Sequence, residues 1–412
     1  VDDGGGGDAL STPPLVLPAA AASSKVVAFG GSYPGSLATW LKLKYPASVA
    51  GVVGSSAPVF ANYDFVQYAE VVGAALGYPL IGGSAECADT VAQGVAELMA
   101  LVNSTAPEWG ASEDIPDVLK PCSPMNNSLD LSTYQAELFG NFQGAVQYNL
   151  MAHRPFVSDL CVAVGEAVAA GGSPLDAFAS SSSLFYNASA PFEERCVSSS
   201  FQEDYVKLLS SESFDPPGCN LTCASDRQWV YQSCNEFGYF QTTVSPEAST
   251  GNPFTAFSSL DAANTGAAVC EAAFGAQDYA GPEADRSDGG GGLLANSRYG
   301  ARHVEVANIT MPNGNMDPWH ALGVVNASDP FYQDGGGGGN GRKRGGSLVG
   351  EEDPFMNQDT IPGVTVVEID GTAHCRDMYA PGVFEVAGVP DTGAVQWAHA
   401  AIAAQVKAYV SS

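Results

Sequence analysis

The chain has 412 residues, 45% of them hydrophobic, which is enough for one large or two medium-sized buried cores. Its 45 Asp and Glu residues against 16 Lys and Arg give a formal net charge of −29. Such a charge argues against nucleic acid as a partner, because the phosphates would be repelled. No run of about 18 apolar residues occurs, so no membrane-spanning helix is expected.

The most informative stretch predicts a strand, a sharp turn, a helix and a second strand. Val26–Phe29 is apolar and has the length of a buried strand. Gly30 and Gly31 follow, where no side chain crowds the backbone, and Ser32 stands at the apex. Apolar residues at helical spacing come next, and Val49–Val53 reads as the second strand. The whole stretch has the size of a parallel strand–helix–strand unit.

A serine at such a turn is a candidate nucleophile. The turn would lift the Ser32 hydroxyl out of the sheet, and the helix start would leave the backbone N–H of Tyr33 free to meet an oxyanion. The G-x-S-x-G pattern is only nearly present, since Pro34 stands where the last glycine would be and Gly35 follows. Proline in the first turn of a helix is compatible with this geometry. The alternative, a glycine-rich loop with a capping serine, stays open.

The rest of the chain divides into a helical block and a mixed C-terminal region. Four segments carry apolar residues at three- and four-residue spacing, as expected for a cap domain inserted after the second strand: 66–76, 87–102, 133–150 and 156–170. The predicted domains are a low-complexity N-terminal segment (1–24), a first catalytic segment (25–61), a helical cap (62–224) and a second catalytic segment (225–412). The second catalytic segment contains two flexible glycine-rich insertions, at 288–292 and 335–341.

Candidate acid and base residues follow two further predicted strands. Val304–Met311 leads through a turn to a loop with Asp317, and Val364–Ile369 leads to a loop with His374. Both candidates therefore follow the C-terminal ends of strands, where ligands bind in open α/β sheets. The chain order Ser32, Asp317, His374 is also that of the α/β-hydrolases.

Other residues compete for these roles. Asp370 is the rival acid, but it lies only four residues before His374 and fits a strand-end turn. His320 shares the loop of Asp317 and could line a pocket. His399 falls in a C-terminal amphipathic helix, where a structural role is expected. The two remaining histidines, less favoured, are His153 and His303.

The cysteines and sequons indicate the secretory pathway. Nine cysteines are scattered along the chain, and no Cys-x-x-Cys pair accompanies a pair of histidines, so a zinc site is not expected. An odd number leaves at least one thiol unpaired within a monomer. The candidate glycosylation sites are Asn103, Asn126, Asn187, Asn220, Asn308 and Asn326.

Four stretches together resemble one peptidase family. GGSYPGSLATWLKLKYP, followed by GSSAP, resembles the nucleophile region of the prolyl carboxypeptidase and dipeptidyl peptidase II family of serine peptidases, most closely its thymus-specific serine protease branch. Three later stretches agree in order: RQWVYQSCNEFGYFQT (227–242), NITMPNGNMDPWHALGV (308–324) and GTAHCRDM (371–378). The resemblance implies an α/β-hydrolase sheet with an inserted helical cap, a triad of Ser32, Asp317 and His374, and no metal or organic cofactor.

The resemblance carries three further implications. Trp319 would help to form a hydrophobic pocket for a substrate proline, the alternative being a tryptophan that only packs its loop. Cys375 would be a buried half-cystine rather than a free thiol. Several strands and a second oxyanion donor precede the nucleophile strand in this fold, whereas 31 residues precede Ser32. The N-terminal portion of the catalytic domain is therefore expected to be missing, with Val26–Phe29 at a sheet edge.

The expected function is that of a serine-type exopeptidase, a carboxypeptidase or a dipeptidyl-peptidase, acting on short and often proline-containing peptides through an acyl-enzyme. An esterase would share the serine turn and the triad. An inactive homologue that only binds peptides is the alternative outside enzymes. The expected location is extracellular, lysosomal or vacuolar, and a homodimer is left open.

Overall fold

The computed structural model describes residues 24–151, 155–186, 191, 195–211, 222–245, 252–275, 294–325, 363–385 and 388–411. The low-complexity segment up to residue 23, both glycine-rich insertions, His153 and the sequons at Asn187, Asn220 and Asn326 lie outside these residues. Among the described helices, none is both long and apolar enough to cross a bilayer.

The described residues form six strands and eleven α-helices. The strands are β1 (Val27–Gly31), β2 (Gly51–Ser55), β3 (Asn62–Asp64), β4 (Gly238–Phe240), β5 (Ile309–Gly314) and β6 (Val364–Ile369). The α-helices are α1 (Tyr33–Lys44), α2 (Gln67–Leu76), α3 (Ala85–Ser104), α4 (Ser128–Gln147), α5 (Val157–Ala169), α6 (Pro174–Ser182), α7 (Lys207–Ser210), α8 (Thr222–Gln232), α9 (Ala268–Phe274), α10 (Leu294–Tyr299) and α11 (Gly393–Ser411). Most of the helices lie between β3 and β4.

A four-stranded parallel sheet in the order β1–β2–β5–β6 organises the molecule. β1 and β2 pair from Val27 opposite Gly51 to Gly31 opposite Ser55, and α1 connects them, so the predicted strand–helix–strand unit is confirmed. β1 lies at the edge of the described sheet, and the side chain of Phe29 is 54% exposed. The predicted α/β class with a parallel sheet is confirmed.

Apolar clusters cover both faces of the sheet. One cluster joins Val52 of β2 to Ile309 and Met311 of β5. A second cluster joins β6 to the C-terminal helix α11, whose buried residues include Val395, Ala398, Ile402 and Tyr409. Because successive strand side chains point to opposite faces, β6 contributes to both clusters.

Strand β5 runs further than the sequence indicates. The sequence predicts a strand over 304–311 that ends in a turn at Pro312, Asn313 and Gly314, but these residues continue β5 and pair with β6. The carbonyl of Pro312 points toward β2, where it accepts the N–H of Ser56 at 2.7 Å. The N–H that proline lacks would have pointed toward β2 as well. β2 ends at Ser55. The proline therefore removes no bond from the β5–β6 ladder, which explains why it is tolerated.

The region after β2 is mainly helical, as predicted for the cap. Helices α2 to α6 share one large core with buried aromatic and aliphatic side chains. The disulfide Cys87–Cys161 ties α3 to α5, and Cys122–Cys196 closes a second link across the same region. The predicted domain boundary at 224/225 falls inside α8, and β4 pairs with β3 from the start of the cap. The domain limits stay a prediction.

The two cap disulfides make a matched pair for a stability test, since each spans 74 residues. The chain-entropy model predicts that removing either cross-link by a double Cys→Ala change costs about 4 kcal/mol of unfolding free energy. Urea titration followed by circular dichroism measures the loss. If the midpoint of either variant coincides with that of the wild type, the cross-link does not restrict the unfolded chain as assumed.

Candidate active site

The turn that carries Ser32 has the strained backbone of a nucleophile elbow. Ser32 adopts φ 60° and ψ −136°, a conformation that L-residues seldom adopt, directly between β1 and α1. A Cβ on Gly30 would lie 2.0 Å from the carbonyl oxygen of Pro34, so only glycine fits there. Because Tyr33 is the first residue of α1, its N–H has no acceptor within the helix.

The departure from G-x-S-x-G has a structural explanation. Pro34 lies in the first turn of α1, where its missing donor costs no helical bond. A Cβ on Gly35 would come within 2.9 Å of the Ala57 side chain and 3.0 Å of the Gly30 carbonyl oxygen. Gly35 therefore provides the close approach between α1, β1 and the end of β2, and Pro34 occupies a position that does not require glycine.

Asp317 and His374 form a buried hydrogen-bonded pair. His374 Nδ1 lies 2.8 Å from Asp317 Oδ2, with the two residues 5% and 0% exposed. The other carboxylate oxygen, Oδ1, accepts the backbone N–H of Trp319 at 3.0 Å, which fixes the carboxylate at the start of a short 3-10 turn. The loop after β5 and the loop after β6 thus meet at one end of the sheet.

The electrostatics of this pair favour the imidazolium form. Burial lowers the pKa of His374, but the negative charge of Asp317 and hydrogen bonds with Asp317 and the Cys375 side chain outweigh it and raise that pKa above the ordinary value of 6.5. A carboxylate that stabilises a positively charged imidazole and holds Nδ1 leaves Nε2 for proton exchange.

The loop of His374 lies against the turn of Ser32. A Cβ added to Gly31 would meet the Cys375 sulfur at 3.1 Å, and the Ser32 N–H bonds the Ser55 carbonyl at 2.9 Å. The structure therefore brings together the three predicted triad loops at the same sheet edge. Within the described residues the Ser32 hydroxyl makes no hydrogen bond with His374. In unliganded enzymes the hydrogen bonds between catalytic groups are often long or poorly aligned, and they tighten when substrate binds.

The rival residues have other partners. Asp370 Oδ1 accepts from the Tyr78 hydroxyl at 2.6 Å and from the Asn315 amide at 2.7 Å.

His320 is 2% exposed, and its Nδ1 contacts the backbone oxygen of Asp317. His399 on α11 contacts the backbone oxygen of Asp377 at 3.1 Å, and His303 is exposed.

An aromatic cluster borders the site. Trp319 is 6% exposed, and its ring lies 6.4 Å from the His374 ring, centroid to centroid. Trp229 is half-buried, and its ring centroid lies 6.0 Å from that of Trp319 and 6.1 Å from that of Tyr33. Both the packing and the pocket interpretation of Trp319 are compatible with this position.

Gln147 at the end of α4 is a site neighbour that the sequence did not reveal. Its side-chain oxygen accepts from the Tyr68 hydroxyl at 2.5 Å and from Trp319 Nε1 at 3.0 Å. Its backbone oxygen accepts the N–H of His374 at 3.0 Å. A glutamine inside an amphipathic helix gives no local signal of such contacts, because all three donors come from distant regions of the chain.

The expectation that Cys375 is a half-cystine is wrong. The described disulfides are Cys87–Cys161, Cys122–Cys196 and Cys234–Cys270, and Cys375 is a half-exposed free thiol. Its neighbours across the turn are Gly31 and Ser55, neither of which offers sulfur.

Two described sequons, Asn103 and Asn126, are exposed, whereas Asn308 is half-buried and donates its side-chain amide to the Ala50 carbonyl at 3.0 Å. Glycosylation is therefore sterically easier at the first two. Across the described ranges, no group of three or more His, Cys, Asp or Glu side chains has the arrangement of a metal site.

Comparison with known proteins assigns the family. The family model for serine carboxypeptidase S28 matches residues 17–331. The thymus-specific serine protease of Homo sapiens is 32% identical over 73% of this chain and 54% of its own length, and that of Mus musculus is 32% identical over 73% and 54%. The lysosomal Pro-X carboxypeptidase of Bos taurus is 51% identical over 41 residues, which are 10% of this chain and 8% of that protein.

This chain spans about half the length of the thymus-specific relatives that it matches. The matched family region includes Ser32 and Asp317, and it extends over the whole helical cap. On the extent of that match, the chain belongs to the serine carboxypeptidase S28 family.

Proposed function

We propose that this protein is a serine-type peptidase in which Ser32 is the nucleophile, His374 the general base and Asp317 the residue that orients the base. The observation that carries the proposal is the buried Asp317–His374 pair beside the strained turn of Ser32. A capping serine would need no such backbone strain, and a structural histidine would need no buried carboxylate on its Nδ1.

The geometry supports acyl transfer in two steps. Ser32 Oγ attacks the peptide carbonyl carbon while His374 Nε2 takes the hydroxyl proton, and the carbonyl oxygen becomes an oxyanion facing the Tyr33 N–H. Collapse of this intermediate breaks the C–N bond, and His374 returns the proton to the leaving amine. Water then attacks the acyl-enzyme by the same route, releasing the acid and restoring Ser32.

The substrates that fit best are short peptides, often with proline near the scissile bond, cleaved as by an exopeptidase. Two observations support this finer proposal. One relative is named a Pro-X carboxypeptidase. The ring of Trp319 borders the catalytic imidazole, where an apolar proline ring would contact an aromatic face. Whether the enzyme would release residues from the amino end or from the carboxyl end of the peptide is part of the same question of specificity.

A location in the secretory pathway, whether extracellular, lysosomal or vacuolar, is the accompanying proposal. The disulfides that close the cap support it, because such bonds persist in oxidising compartments. The homodimer stays a prediction that light scattering of the purified protein would check.

Fluorophosphonate labelling tests the proposed function directly. The wild-type protein is expected to take up one probe molecule, mapped to Ser32 by peptide mass spectrometry, because only an activated serine attacks phosphorus readily. A protein denatured before labelling is the control for non-specific reaction. Hydrolysis of proline-containing peptides compared with simple esters then separates a peptidase from an esterase. A folded protein that binds peptides and takes up no probe would be an inactive homologue.

A further inference from the structure

Two adjacent serines at the end of β2 connect the nucleophile turn with the histidine loop. Both side chains are fully buried. The Ser55 carbonyl accepts the Ser32 N–H at 2.9 Å, and the Ser55 hydroxyl donates to Asp377 Oδ1 at 2.6 Å. The Ser56 hydroxyl accepts the Cys375 N–H at 2.9 Å. One dipeptide therefore contacts the residue proposed as nucleophile and both sides of a short loop that begins at His374.

The histidine loop needs such contacts. Cys375 adopts φ 55°, in the left-handed region, which is unfavourable for a non-glycine residue. The His374 N–H is bound by the Gln147 carbonyl, but the turn after His374 is held from the sheet side by Ser55 and Ser56. Without the bond to Asp377, the short 3-10 turn at Arg376–Met378 would lose its side-chain contact with β2.

Asp377 is an unusual partner, because it is a buried carboxyl that no described cation pairs with. It is 8% exposed, and its Oδ2 has no hydrogen-bond partner among the described residues. The guanidinium of the neighbouring Arg376 bonds Asp391 instead, at 2.7 Å. The other titratable groups facing it are His399, which contacts only its backbone oxygen, and the Asp317 carboxyl.

We propose that Ser55 and Asp377 are positioning residues, which hold the imidazole of His374 at the distance from Ser32 that proton transfer requires. This inference rests on the proposed function. An unsatisfied buried carboxyl is costly, and a side chain that only filled space here would be apolar. The Asp377 carboxyl accepts a hydrogen bond from the Ser55 side chain, and the Ser55 carbonyl accepts the backbone N–H of Ser32.

The titration of Asp377 supports this role. Burial raises its pKa to about 6, while the Ser55 hydrogen bond and the field of His399 act in the opposite direction. A raised carboxyl pKa means that the folded protein loses stability as the pH rises from 3.8 through 6, since ionisation leaves a poorly solvated charge. The Ser55 hydroxyl is the side-chain donor that limits this loss.

The test compares Ser55→Ala with Ser182→Ala. Ser182 is equally buried, but its hydroxyl has no hydrogen-bond partner within the described ranges. Ser182→Ala therefore removes the same oxygen atom as Ser55→Ala without breaking a described hydrogen bond. For Ser55→Ala we expect the fluorophosphonate labelling rate and kcat to fall about 10- to 100-fold, with KM within a factor of about two, because an ångström-scale displacement of a base acts on the chemical step. Ser182→Ala is expected to match the wild type.

A second pair of variants keeps the volume constant. Ser55→Thr retains the hydroxyl and Ser55→Val does not, so Thr is expected to be labelled at least about ten times faster than Val if the bond matters. Equal rates for Thr and Val, or a folded Ser55→Ala protein with wild-type kcat, would overturn the inference. Failure of the proposed function looks different, because the wild-type protein itself would then take up no probe.

Discussion

Replacing Ser32 with Ala is expected to lower kcat for a proline-containing peptide by on the order of 10⁶, because the acyl-enzyme can no longer form. The backbone of the elbow should persist, since the close approaches at Gly30 and Gly35 do not involve the serine side chain. Peptide binding to the variant, measured by calorimetry, should therefore remain close to that of the wild type. Hydrolysis is measured with high enzyme concentrations and liquid chromatography.

The control for this prediction is non-additivity. His374→Ala alone should cause a loss of similar size, and the Ser32→Ala, His374→Ala double variant should be no slower than either single variant, because the two groups act in one proton transfer. If the two losses multiply, the residues act independently. If Ser32→Ala retains wild-type turnover, another residue is the nucleophile.

Replacing Asp317 with Asn is expected to lower kcat by about 10⁴-fold and to move the pH profile. The amide keeps the shape but can offer an N–H to Nδ1, which favours the wrong tautomer of His374. In the wild type the base must be neutral to accept a proton, so kcat/KM rises with pH through the pKa of His374, which lies above 6.5. Without the charge of Asp317, burial dominates, so this rise should move to lower pH.

Asp370→Asn is the matched control for the pH profile. Asp370 lies in the same loop region, but its carboxylate bonds Tyr78 and Asn315 rather than the imidazole. This variant should keep the wild-type pH profile of kcat/KM. A shift for Asp370→Asn, together with an unchanged profile for Asp317→Asn, would exchange the two roles.

Local sequence patterns predicted much of the fold. Gly30, Gly31 and Ser32 between two apolar runs predicted a strand–turn–helix because each residue type has a backbone preference that acts within a few positions. Helical spacing likewise located α2 to α5 to within about five residues at each end. The end of β5 was missed because the tolerance for Pro312 depends on where the neighbouring strand stops, which local sequence does not encode.

The site was only partly predictable. Asp317 and His374 could be proposed because both follow strands, and parallel strands bring their carboxyl ends to one sheet edge. Two features depend on which distant loops meet: the free thiol of Cys375 and the contacts of Gln147. The spacing of residues along the chain does not predict which loops meet. Ser55 and Ser56 appeared only as members of a motif, since a buried hydroxyl acquires a role through its partner.

The free thiol of Cys375 also affects how inhibitor profiles should be interpreted. This half-exposed sulfur belongs to the residue that follows the proposed base and lies beside the glycine that precedes Ser32. Mercurials or maleimides attached there would obstruct the imidazole, although sulfur takes no part in bond cleavage. Sensitivity to such reagents would thus be expected even though the proposed nucleophile is Ser32, and would be poor grounds for classifying the protein among the cysteine peptidases.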